Sequence, residues 1–259
     1  MGRTVRRWVV LPGLAETAEE FGAVRRLVPA GYDVVVVDPW ETPVTAPLRQ
    51  LREIAGDGPI GLVGHSIGGL AALRWALTAP DQVVSLVLVD SSLPSEDGRT
   101  AFYPGRRGDR AVRHALRGIG RVGLPRLVGP VLRDLLLWLS STSGRDPLRR
   151  ATVRDRYGGH DSWLRFWNEL AASWPLAKEV GRLLDGGARP APTIQLVAGG
   201  SRLARLGNGW LHRQHNLSRR LGSQLVVLPD AAHLVHIDRP DAIAAAIIET
   251  GTTSRRRSG

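Results

Sequence analysis

Ser66 sits between two glycines in the run Gly64-His65-Ser66-Ile67-Gly68. A serine hydroxyl is a poor nucleophile until a base takes its proton, and imidazole is the side chain whose proton affinity suits that task near neutral pH. The flanking residues indicate how such a hydroxyl could be presented. Ile60 to Val63 reads as a short buried strand, and the Ala-rich stretch after Gly69 reads as a helix. The serine therefore lies on a turn too tight for side chains beside it. The G-x-S-x-G spacing alone is weak, and it gains meaning from the strand before it and the helix after it. The plainer alternative is a structural strand, turn and helix with a capping serine.

The elements around this turn can be read in order. Val5 to Leu11 is a β-branched run ending at Pro12-Gly13-Leu14, and Thr17-Ala18-Glu19-Glu20 forms a capping box for a helix to Val28. Four valines between Asp33 and Asp38 predict a strand covered on both faces. A rigid loop, Pro39 to Pro43, leads to a helix from Thr45 to Ile54, and Val83 to Val89 is a strand ending at Asp90. Strand and helix alternate throughout, which argues for a right-handed, doubly wound sheet.

From Leu93 to Asp185 the strand signals stop. Helices are predicted over Asp109 to Arg117, Arg126 to Leu139, Pro147 to Tyr157, Ser162 to Trp174 and Pro175 to Leu184. The apolar runs Leu135 to Leu139 and Trp163 to Trp167 either pack onto the core or line a pocket. Strands resume at Thr193 to Ala198 and Gln224 to Leu228, separated by a helix from Asn208 to Arg220 and followed by one from Asp241 to Glu249. The expected architecture is an α/β fold with about six mainly parallel strands. Its core would comprise residues 1–92 and 186–250, with a helical lid inserted at 93–185 and a disordered basic tail at 251–259.

With these elements in place, the chain resembles the α/β-hydrolase family over nearly all of its length outside the middle third. The resemblance implies that Ser66 is the nucleophile and His233 its base. His233 lies after the last strand, in a stretch similar to the family's Gly-His followed seven residues later by Pro; Ala232 stands in place of the Gly. His236 is a weaker candidate, expected to face the following helix, and His65 is expected to support the turn. By the family's geometry, the backbone amides of Leu14 and Ile67 would form the oxyanion hole. The family usually carries His-Gly where this chain has Pro12-Gly13.

The acid departs from the family pattern. Where relatives show Gly-x-x-Asp, this chain reads Gly199-Gly200-Ser201-Arg202. Some members, haloalkane dehalogenases among them, place the acid at the end of an earlier strand, which here selects Asp90. Asp161, Asp230, Asp238 and a bare Ser–His pair are the alternatives. Trp40, Trp138, Trp163 and Trp167 are expected to bind substrate. The implied activity is hydrolysis of an ester or thioester with an apolar acyl or aryl part, through an acyl-enzyme. A lyase, C–C hydrolase or cyclase on the same scaffold, and a non-catalytic binding protein, are the rival readings. Serine at position 66 disfavours chemistry that needs a carboxylate nucleophile.

Composition narrows the field further. A chain of 259 residues with 43% hydrophobic content can bury one α/β core and an insertion. There is no cysteine, hence no disulfide or thiolate chemistry, and His160, His212 and His215 lack zinc-site spacing. No cofactor and no metal are expected. No run approaches the roughly 18 apolar residues of a membrane span, and Trp8 to Leu11 is too short for a signal sequence, so a cytoplasmic protein is expected. The net charge is +11, with Lys178 the only lysine. Residues 95–185 hold seventeen bases against ten acids, whereas residues 1–94 hold eight against ten. No aromatic-interleaved basic face accompanies this excess, which argues against nucleic-acid binding and leaves an acidic carrier protein open as a partner.

Overall fold

A computed structural model describes residues 5–94, 105–200 and 209–253. Its centre is a six-stranded, wholly parallel sheet: β1 (Arg7–Leu11), β2 (Asp33–Val36), β3 (Ile60–His65), β4 (Val83–Val89), β5 (Thr193–Ala198) and β6 (Gln224–Leu228), in the order β2-β1-β3-β4-β5-β6. The chain steps outward from β1 to β2 and then returns to β3 on the other side of β1. The crevice at the carboxyl ends of β1 and β3 is therefore the point where strand order reverses, the usual ligand site in such sheets.

Alternation along the strands supplies two cores. Val9, Leu11, Leu62, Leu86 and Leu88 point to the face covered by α3 (Ile67–Thr78) and α7 (Ser162–Asp185). Trp8, Val10, Val63, Val87 and Val89 point to the face covered by α1 (Gly22–Leu27) and α10 (Pro240–Thr253). β3 and β5 are buried along their whole length. The valines of β2 are only half-buried, contrary to the expectation of cover on both faces, because β2 is an edge strand. The remaining core helices are α2 (Leu48–Ala55), α8 (Gly209–Leu221) and the short α9 (Val235–Asp238).

Between β4 and β5 lies the helical insertion: α4 (Gly105–Arg121), α5 (Leu124–Ser140), α6 (Arg150–Tyr157) and α7. The sequence suggested separate helices on either side of Pro175. Instead α7 runs unbroken for 24 residues through it. Proline removes one i→i−4 bond, and burial of Leu176, Ala177, Val180 and Leu184 in the core with α3 holds the second half helical.

At the other end, α10 continues to Thr253, so residues 251–253 of the expected tail are helical. The Thr250 hydroxyl donates to Ala246 O, and Ser85 Oγ donates to Thr250 O, tying this end of the helix to β4. Arg255 to Arg257 and Arg202 lie outside the described residues. Among the described residues no helix is long and apolar enough to cross a membrane.

Candidate active site

Ser66 opens α3 with φ 51° and ψ −120°, a left-handed backbone that a non-glycine residue adopts only when its surroundings enforce it. Its N–H donates to Val89 O at 3.1 Å, and its carbonyl accepts the N–H groups of Gly69 and Ser92, both at 3.0 Å. The glycines that follow are sterically required. A Cβ on Gly68 would stand 2.0 Å from Leu11 O, and one on Gly69 would stand 2.1 Å from Ser91 Oγ. The strained turn thus brings the first residues of α3 directly against the end of β1. The Ile67 N–H is the first of the helix and has no intrahelical acceptor, while Leu14 follows in the loop that leaves β1.

His233 reaches this hydroxyl from the loop after β6. Its Nε2 lies 3.2 Å from Ser66 Oγ, and its Nδ1 lies 2.6 Å from Asp90 Oδ2. The imidazole is 38% exposed and the carboxylate 5%. Asp90 is the residue after β4 and has φ 37°. Its Oδ1 accepts the Ala198 N–H and the Trp210 indole N–H, each at 3.1 Å. One carboxylate oxygen is thereby anchored, leaving the other facing the imidazole. A carboxylate at that distance favours the tautomer with the proton on Nδ1, which directs the Nε2 lone pair at the serine hydroxyl.

The alternative acids are occupied elsewhere. Asp230 pairs with Arg239, and Asp161 pairs with His160 on the surface. Asp238 accepts the N–H of Ala232 and groups from Ser141, Thr142 and Ser143. It therefore ties the His233 loop to the insertion, and these bonds hold its carboxyl below the usual range against the opposing effect of burial.

Beneath His233 lies a second set of groups, in which His65, expected to support the turn, is joined by Glu16, which sequence reasoning did not find. Glu16 Oε2 accepts the Gly13 N–H at 2.5 Å, and its Oε1 lies 2.5 Å from His65 Nδ1. His65 Nε2 in turn lies 2.7 Å from the carbonyl of His233. Glu16 and His65 are both buried. Burial would raise the Glu16 pKa, but the adjacent imidazoles of His65 and His236 bring it down to about 2. Burial would lower that of His65, and Glu16 raises it instead. Both shifts favour the charged pair, a carboxylate beside an imidazolium.

His236 does not face the following helix as expected. It stacks on Phe21 at 4.4 Å and meets His65 edge-on at 5.0 Å. Donor atoms of Glu16, His65 and His236 lie within 4.8 Å of one another. The Glu16–His65 separation is that of a charge-assisted hydrogen bond, shorter than two ligands of one ion would adopt.

A cavity of about 290 Å³ opens beside the loop after β1, lined among others by Ala15, Trp40, Pro43, Phe166 and Glu169. Trp40 donates its indole N–H to Glu16 O and packs edge-on against Tyr157 and Phe166. Burial pushes the Glu169 carboxyl up to about 7, with only the Val44 N–H opposing it. Trp167 donates to Asp109 and packs on Trp174, joining α7 to α4, and Trp163 is half-buried on α7. Neither lines this cavity. Trp138 is 55% exposed on α5, far from the role expected of it.

The comparisons with known proteins agree with this architecture. A family profile described as alpha/beta hydrolase fold matches residues 9–240. Lipase LipV of Mycobacterium tuberculosis is 41% identical over 66 residues, covering 24% of this chain and 25% of that protein. Esterase Rv0045c of the same organism is 29% identical over 205 residues, covering 74% of this chain and 60% of that protein. The chain thus matches a quarter and three fifths of the length of these two relatives. A probable hydrolytic enzyme from Pseudomonas aeruginosa PAO1 shares the fold, with a TM-score of 0.67 at 22% identity over 95% of this chain and 85% of that one. Matched from β1 to the start of α10, this chain belongs to the alpha/beta hydrolase fold family.

Proposed function

We propose that this protein is a serine hydrolase acting on an ester or thioester with an apolar acyl or aryl part, and that residues 93–185 form a lid over its core. The observation that carries the reading is the unbroken chain from Ser66 Oγ through His233 to Asp90. His233 takes the hydroxyl proton as Oγ bonds to the substrate carbonyl carbon, and the oxyanion is held by the N–H groups of Leu14 and Ile67. The carbonyl re-forms as the bond to the leaving alcohol or thiol breaks, and His233 passes its proton to that group. Water then repeats the sequence on the acyl-enzyme and restores Ser66.

Asp90 orients the imidazole and stabilises its protonated form. Trp40 and Phe166 offer an apolar wall for the acyl or aryl part. The names of the two mycobacterial relatives, a lipase and an esterase, support an ester as substrate. The test is a chain-length series of p-nitrophenyl esters on wild type, Ser66→Ala, His233→Ala and Asp90→Asn. Ser66→Ala and His233→Ala should each lose about 10⁶-fold in kcat, and Asp90→Asn about 10⁴-fold. Full activity in Asp90→Asn would remove Asp90 from the mechanism, and failure of Ser66 to react with a fluorophosphonate would remove the acyl-enzyme.

A further inference from the structure

α5 is an inverted helix. At about 3.6 residues per turn its inner side carries Pro125, Gly129, Arg133 and Leu137, and its outer side carries Leu124, Leu127, Val131, Leu135 and Trp138 within roughly 80° of arc. Arg133 is wholly buried, bonded to Glu20, Asp146 and Tyr157. Leu127 is 75% exposed and Val131 63%. Scattered exposed leucines are ordinary on a soluble protein, whereas a continuous stripe from Leu124 to Trp138 marks an interaction face.

The preceding helix supplies charge. α4 holds six arginines and one acid. Arg106, Arg107, Arg110, Arg117 and Arg121 share one side with His114, within roughly 100° of arc, and all are exposed. Arg113, outside that arc, pairs with Asp109. Among the described residues the other five have no hydrogen-bond or ion-pair partner. α4 packs on α5, and Val122 at the turn between them is 79% exposed.

We propose that the α4–α5 hairpin is a docking surface for an anionic lipid bilayer. The α5 stripe would enter the boundary between headgroups and acyl chains, and the α4 arginines would meet the lipid phosphates. A bilayer offers an apolar layer edged with negative charge and demands no complementary shape. Tryptophan is also the residue that prefers this boundary. A second copy docked symmetrically on the stripe would bring two sets of arginines together, a like-charge contact. An acidic protein satisfies the arginines but leaves five outward apolar side chains to be matched by a groove. Docking of this kind is peripheral and needs no spanning helix.

The full chain should be sedimented with vesicles of phosphatidylcholine alone and of phosphatidylcholine mixed equally with phosphatidylglycerol, over a salt series. Binding is expected to the mixed vesicles, weakening as salt rises. Arg110→Gln, Arg117→Gln and Arg121→Gln together should lower the partition coefficient about 100-fold, at about fivefold per charge. Leu127→Ser with Leu135→Ser should lower it at least tenfold. These positions are exposed, so circular dichroism and ester hydrolysis should be unchanged.

No binding to mixed vesicles overturns the proposal. So does arginine-dependent binding that ignores the leucine changes and is competed away by polyglutamate, which indicates an acidic protein. A dimer in sedimentation equilibrium that the leucine changes dissociate, with vesicle binding intact, assigns the stripe to a second copy.

Discussion

Two buried charge systems, four residues apart on the segment after β1, behave differently. Glu16 faces His65 and serves the sheet rim: Glu16 accepts the Gly13 N–H on one side, and His65 Nε2 meets the His233 carbonyl on the other. Glu20 faces Arg133 and serves the insertion, where the guanidinium also reaches Asp146 and Tyr157. The first is built around an imidazole, which can lose its proton. The second is built around a guanidinium that stays charged, since the attraction of Glu20 outweighs the burial that would lower its pKa. The first thus rests on a cation that titrates, and the second, which ties the insertion to the core, on one that does not. Glu169 supplies a third case, a buried carboxylate that among the described residues has a single backbone N–H and no cation.

The strongest way to break this comparison is Arg133→Met. It leaves Glu20 buried without its cation, and urea unfolding should show a loss of about 3–5 kcal/mol. The kcat of the protein that remains folded should be near wild type, because Arg133 touches no part of the site. A collapse of kcat in the folded fraction would merge the two systems into one.

Glu169→Gln comes next and has the opposite sign. A carboxyl raised to about 7 binds its proton more tightly folded than unfolded. Stability is therefore lost as pH rises from its unfolded value near 4.5 to about 7. Glutamine can still accept the Val44 N–H, so at pH 8 it should stabilise the fold by about 3 kcal/mol, with little gain at pH 4. An equal gain at both pH values would assign the effect to packing.

Glu16→Gln is the smallest and most specific change. The Gly13 bond survives, but His65 loses its counter-charge, so the oxyanion loop and His233 are held less firmly. kcat for the p-nitrophenyl esters should fall about tenfold with KM unchanged. In wild type, the stability owed to depressed Glu16 is present above about 4.5 and is lost as pH falls toward 2. That owed to raised His65 is present below 6.5 and is lost as pH rises through its folded value. Thermal melts of Glu16→Gln should lack both shoulders, and unaltered shoulders would place the titrating groups elsewhere.

Much of the fold was legible in advance because its signals are local. Valine runs bounded by Gly and Pro marked the strands, and the glycines around Ser66 marked the strained turn. Misreadings arose where distant contacts override a local rule. Pro175 ends a helix on propensity, yet packing with α3 carries α7 through it. β2 carries the pattern of a central strand, yet sheet order puts it at the edge. Trp138 has the composition of a pocket residue, yet the inverted packing around Arg133 turns it outward.

What the chain's residues determined unaided was the sheet-and-helix alternation, the serine on its turn and the histidine after the last strand. Each follows from periodicity, steric demand or position along the chain. Tertiary structure decided which carboxylate faces that histidine, that Glu16 and His65 lie beneath it, and which side of α5 is buried. Those outcomes depend on strand order, because neighbours in the sheet bring together residues more than a hundred positions apart, a relation no local pattern contains.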